Sequence, residues 1–222
     1  FGQQPQIGLW NLIQFANALH PLVGQTEPLE QALNGYGQTF QAEHETMLAH
    51  KLGLPSLSGP KDQQLVAQLF EVLGLAETDM TLFFRALAEL DIDDQADTSP
   101  TDAELLTVVE PAYYQPDTVA DSHRGAMADW LRGYRDRLMG LVPDGERRGR
   151  MLAANPKYVM RNYLAQLAIE KAEDGDGTGV TELLEVMRRP YDEQPQYHEE
   201  YSQKRPEWAR HRPGCSMLSC SS

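Results

Sequence analysis

Val119-Ala-Asp-Ser-His-Arg-Gly-Ala-Met-Ala-Asp-Trp-Leu-Arg-Gly-Tyr-Arg-Asp-Arg-Leu-Met139 decides the fold class. Its large apolar side chains, Met127, Trp130, Leu131, Tyr134 and Leu138, recur every three or four residues. That spacing puts them on one stripe of an α-helix and predicts that they are buried. The same period extends upstream. It predicts a helix from about Ile7 to Leu19, closed by Pro21, and another from Leu29 to Leu52, kinked near Gly35 and Gly37 and ended by Gly53-Leu-Pro55. Asp62 reads as the N-cap of a third helix carrying Leu65, Val66, Leu69, Phe70 and Leu73 up to Gly74. A fourth, after Thr78, carries Leu82, Phe83, Ala86, Leu87 and Leu90. The acidic stretch Asp91 to Asp97 reads as a loop, and Ser99-Pro-Thr-Asp102 as a capping box for a short helix ending before Pro111.

Downstream, helical spacing covers Asp144 to Ala154 and Thr181 to Arg188, while Asn155-Pro156 reads as a cap and first-turn proline launching Tyr158 to Ala172. Nothing shows the period-2 alternation of a strand, so the expected fold is all-α. Residues 1–189 form an irregular helical bundle in this reading. Residues 190–222 become an extended strap and tail, because Pro190, Pro195, Pro206 and Pro213 interrupt regular structure, with Tyr191, Tyr197, Tyr201 and Trp208 as anchors.

The formal charge of −14 is uneven: residues 1–120 hold 3 Lys+Arg against 17 Asp+Glu, and residues 121–222 hold 16 of each. An acidic first half repels phosphates, so no nucleic-acid partner is expected there. Arg147, Arg148 and Arg150 beside Asp144 and Glu146 read as a solvated helix face. No apolar run reaches transmembrane length and only two cysteines occur, so the expectation is no membrane partner and a reducing, intracellular setting. Starting on Phe1 and entering a helix at once suggests a piece of something longer.

Candidate sites are few. His44-Glu45 opens like a zinc-protease helix motif, but the second histidine would fall on Leu48, and His50 lies on a different face. Asp174-Gly-Asp-Gly-Thr178-Gly179 through Glu185 resembles a calcium loop, with Thr178 and Thr181 against it; a Gly-rich interhelical turn accounts for the same residues. His211, Cys215 and Cys220 offer three zinc ligands without a fourth at the usual spacing. The last eight residues hold both cysteines. They read either as reactive thiols on a flexible end or as two small residues in a frayed terminus.

Five segments, Pro5-Gln-Ile-Gly-Leu-Trp-Asn-Leu12, Asn155-Pro-Lys-Tyr-Val-Met-Arg-Asn-Tyr-Leu164, Pro190-Tyr-Asp-Glu-Gln-Pro195, Arg205-Pro-Glu-Trp-Ala209 and Gly214-Cys-Ser-Met-Leu-Ser-Cys-Ser-Ser222, together resemble the selenoprotein O family, in its order. The resemblance implies the helical C-terminal part of a protein-kinase-like (pseudokinase) fold and the family's C-terminal extension. It implies a parent enzyme, a protein adenylyltransferase that transfers AMP from ATP, with Mg²⁺, to Ser, Thr or Tyr hydroxyls of protein substrates. The family's catalytic, nucleotide and metal residues fall in the N-terminal kinase-like lobe ahead of Pro5, so none is carried over here and that lobe is the implied partner. Cys220 stands where some relatives carry selenocysteine, which implies a redox residue pairing with Cys215 or with a cysteine outside this chain. The cytoplasm is the expected compartment. The alternative is a non-catalytic helical interaction or redox-sensing module.

Overall fold

The computed structural model describes residues 3–92, 100–139, 141 and 144–215. Among the described residues there are nine helices of eight or more residues: α1 Gln4–Val23, α2 Glu27–Lys51, α3 Gly59–Leu73, α4 Met80–Leu87, α5 Asp102–Val109, α6 Asp121–Leu138, α7 Asp144–Ala154, α8 Asn162–Glu173 and α9 Thr178–Arg188. No strand occurs among the described residues, only an isolated bridge between Thr78 and Tyr113, so the fold is all-α. The chain divides into two compact units, Phe1–Ala49 and His50–Ser222. The boundary falls inside α2, and the segment after residue 189 belongs to the second unit.

In the first unit Pro21 does not close α1. The helix runs through it to Val23, and the stop is Gly24 at φ 69°, whose amide donates to the His20 carbonyl. Proline near a helix C-terminus removes one bond, whereas a left-handed residue ends the spiral. α2 continues unbroken through Gly35 and Gly37. Tyr36 donates to the Pro5 carbonyl (3.3 Å) and begins a row of rings with Phe40 and His44 along α2. No side chain of α1 is buried.

The second unit is built on α6. Met127, Trp130, Leu131, Tyr134 and Leu138 are all buried, as their spacing predicts. Trp130 and Tyr134 stack at 5.0 Å, and each anchors its polar atom: indole Nε1 on the Leu65 carbonyl (2.9 Å), phenol Oη on the Leu52 carbonyl (2.8 Å). α3 begins at Gly59 behind Ser58, so Asp62 is not its N-cap. Asp62 lies buried one turn in, accepts from the Ser58 amide and pairs through both oxygens with Arg137 of α6 (2.6 and 3.0 Å). The capping box before α5 is Thr101 with Glu104 rather than one starting at Ser99, which lies outside the described residues, as does most of the acidic loop 91–97.

Asn155-Pro156 does not launch a helix either. α8 starts seven residues later, at Asn162, and Asn155 is instead a buried connector: its Nδ2 donates to the Lys51 and Met151 carbonyls, and its Oδ1 accepts from Lys51 Nζ (2.6 Å). Beyond α9 the strap is not purely extended; it holds short 3-10 turns at Pro195–Tyr197 and Glu207–Ala209 and one α-turn at His198–Tyr201. Tyr201 is buried and Tyr197 half-buried, whereas Tyr191 and Trp208 remain exposed. α8, α9 and the strap share a second core of Tyr158, Tyr163, Leu164, Ala168, Leu183, Val186, Tyr201, Ala209 and Cys215.

Arg147 overturns the reading of a solvated basic face. It is fully buried, and its guanidinium donates to the carbonyls of Leu87, Ala88 and Leu90 at 2.8–3.2 Å, satisfying the open C-terminal end of α4. Gly53 makes room for it: a Cβ there would stand 2.7 Å from Arg147 Cγ, and φ is +67°. Replacing Arg147 by Met keeps the stem but strands three carbonyls, and is expected to cost about 3 kcal/mol in urea unfolding, against roughly 0.5 kcal/mol for Arg150→Met on the same helix.

Candidate functional site

The richest polar cluster lies where the strap crosses the start of α4. Asp79 is the N-cap of α4: its Oδ1 accepts from the Leu82 amide (3.1 Å). Only 4% exposed, it also receives both nitrogens of Arg161 (2.6 and 3.1 Å) and the Tyr114 hydroxyl (3.1 Å). A bidentate guanidinium–carboxylate pair with further bonds is the geometry that offsets the desolvation of two buried charges. Burial and the Asp79 charge both push the Tyr114 phenol up.

Two residues earlier, Glu77 gathers Arg205 (2.8 Å) and Arg210 from the strap. Burial alone would raise its carboxyl, but the two guanidinium groups hold it below the usual value. Arg205 also lies over the Tyr114 ring at 4.9 Å, and Lys204 Nζ donates to the Tyr113 carbonyl (2.6 Å). At the other end of the strap, Glu193 bridges Lys157 and Arg85, while the Pro190 carbonyl accepts from the amides of Lys157 and Tyr158, and Tyr158 Oη donates to the Gln194 carbonyl.

The described part of the strap closes with a turn at Gly214, φ +80°, where a Cβ would meet Gln166 Oε1 at 2.5 Å. That turn delivers Cys215 into the second core, where it is only 4% exposed and has no disulfide partner among the described residues. Cys215 is therefore not a surface thiol. Cys220 lies outside the described residues. His211 is exposed, and no group of three His, Cys, Asp or Glu among the described residues is placed to hold a metal. In the calcium-like segment, Asp176 accepts from the Thr178 amide and Glu185 pairs with Arg188.

A family model described as protein adenylyltransferase SelO matches residues 1–188. The chain belongs to the SelO family. Curated relatives named protein nucleotidyltransferase YdiU are 48% identical in Rhodopirellula baltica, 50% in Azoarcus sp. and 42% in Flavobacterium johnsoniae, each over all of this chain. The chain spans only 41–42% of their length.

Within this SelO chain, segment 155–164, one of those that carry the family resemblance, meets two others, 190–195 and 205–209. Lys157, Tyr158 and Arg161 come from the 155–164 segment, Glu193 and Gln194 from 190–195, and Arg205 and Trp208 from 205–209, with Trp208 edge-on to Tyr163 at 6.1 Å. Sequence reading passed over their ion-pair partners Glu77, Asp79 and Arg85. Thr78-Asp79 ahead of an apolar stripe was the available signal for a cap. A nucleotide with its metal does not fit the described residues, which offer neither a metal-ligand cluster nor a Gly-rich phosphate loop.

Asp79→Ala removes the cap and leaves Arg161 buried without its counter-ion, an expected loss of about 3 kcal/mol by chemical denaturation. Glu77→Ala breaks half-exposed pairs and is expected to cost about 1 kcal/mol. Cys215 is expected to resist a maleimide that labels it readily in denaturant, since only the exposed thiolate reacts.

Proposed function

We propose that this chain is the helical C-terminal portion of a protein adenylyltransferase, which transfers AMP from ATP to Ser, Thr or Tyr hydroxyls of client proteins. The observation that carries the reading is the family match across residues 1–188. The relatives' name, protein nucleotidyltransferase, points the same way, as does their greater length. In this reading ATP and Mg²⁺ are held by a kinase-like lobe outside the chain, in the cytoplasm, and the residues described here support that lobe rather than touch the reacting phosphate.

α1 favours such a partner. It contains no Asp, Glu, Lys or Arg, and Ile7, Leu9, Trp10, Leu12, Ile13, Phe15, Leu19, Leu22 and Val23 are distributed all round it. A helix apolar on every side belongs in the interior of a larger domain. The proposed redox role rests on family resemblance and falls on Cys220, with Cys215 or a cysteine outside this chain as its partner.

Incubating the full-length polypeptide with Mg²⁺, an acceptor protein and ATP labelled on the α-phosphate is expected to give label stable on hydroxyl side chains, and this chain alone none. Labelling by this chain alone would refute the placement of the chemistry, and no transfer by the full-length polypeptide would refute the reaction. Mass spectrometry of oxidised full-length protein is expected to find Cys220 in a reversible disulfide; finding it always free removes the redox role.

A further inference from the structure

The strap's basic side chains converge on two short pieces of backbone lying side by side. Residues 77–79 and 112–114 are joined by Tyr114 N donating to the Glu77 carbonyl (3.0 Å) and Asp79 N to the Ala112 carbonyl (2.8 Å), with the Thr78–Tyr113 bridge between them. Lys204 holds the Tyr113 carbonyl, Arg205 covers the Tyr114 ring, and Arg205 and Arg210 hold Glu77. Beneath this platform the Tyr113 side chain meets His123 of α6: Oη to Nε2 is 3.0 Å, and the rings meet edge to face at 5.4 Å.

His123 is 3% exposed, and its Nδ1 is buried with no hydrogen-bond partner among the described residues. A neutral ring tolerates this. With the proton assigned to Nε2, Nδ1 is a lone pair; an imidazolium would strand an N–H donor and a charge in an apolar interior.

The surrounding charges offer no relief. Arg124, one residue on, adds a like charge, and Glu110 is committed to Arg124 (3.6 Å). The acidic groups that α3 and α5 turn toward α6, Asp62 and Asp102, are paired with Arg137 and Arg132 further along it. Asp79 is taken by Arg161 and Tyr114, and the strap brings the cation of Lys204 to the Tyr113 carbonyl. Burial and Arg124 together hold His123 below its usual value near 6.5. Burial pushes the Tyr113 phenol up to about 12, so it stays a neutral hydroxyl throughout.

We infer that His123 is a pH-sensitive latch for the strap: neutral, it fixes Tyr113 and the platform that residues 204–210 grip, and protonated, it leaves the interior and lets them go. The closed state binds fewer protons than the open one. Closure is thus complete above about pH 6.5 and weakens below it, with the opening constant rising up to about tenfold per pH unit. Glu77 is held below 4.5, so its own protonation falls at a lower pH. The latch does not depend on the adenylyl-transfer reading.

Hydrogen exchange of the whole chain, corrected for intrinsic rates, tests this at about pH 7.5, 6.5 and 5.5. Strap peptides are expected to open about tenfold more at the lowest pH than at the highest, with α6 and α9 unchanged. His123→Gln keeps a partner for the Tyr113 hydroxyl and cannot titrate, so its strap should be indifferent to pH. Equal protection at all three values, the same rise in His123→Gln, or equal loss in α6 would overturn the latch. Should that variant not fold, the His123 ring titration by NMR in the unaltered chain decides: a midpoint below 6.5 supports the latch, and one at or above it sinks it.

Discussion

Buried charge at both ends of one eight-residue helix organises the second unit. α4 is too short to stand alone, because nucleating a helix costs more than a few internal hydrogen bonds return. Asp79 caps the Leu82 amide at its N-terminus and Arg147 holds carbonyls at its C-terminus, each sign matching the helix dipole at its end. Each ion also comes from, or reaches, another part of the chain. Arg147 draws α7 under Gly53, and Asp79 draws in Arg161 and Tyr114. Phe83, Phe84 and Leu87 of α4 then fill the core in a fixed position.

The strap depends on that position. Its contacts to Glu77 and Tyr113 are to residues just before α4 and just after α5, and its contact to Arg85 is to α4 itself. Most of these are half-exposed ion pairs, individually modest, that act on a segment with little regular structure of its own. The apolar side chains Tyr201 and Ala209, buried against α8 and α9, supply the rest. Three of the segments in which the sequence resembles the SelO family, 155–164, 190–195 and 205–209, are joints of this assembly.

The helices were legible because burial on one face imposes a period that survives in the letters, as for the five residues of α6. Their ends were less so. Asp62 and Asn155 look like caps, yet their side chains are committed to Arg137 and to the Lys51 and Met151 carbonyls, partners far away in the sequence that no local pattern announces. Arg147 misled for the same reason: three neighbouring arginines look solvated until the chain brings the carbonyls of 87–90 to one of them. The site was read at the tail. Its buried cysteine follows from a left-handed glycine and from the core built on α8 and α9, neither visible in a run of small residues.

Burying Cys215 also gives the residues after it a fixed origin. Cys220 is five positions further on, so covalent geometry alone limits the distance between the two α-carbons to about 18 Å. Whatever meets the Cys220 thiol must therefore come within that radius of a point fixed in the second core.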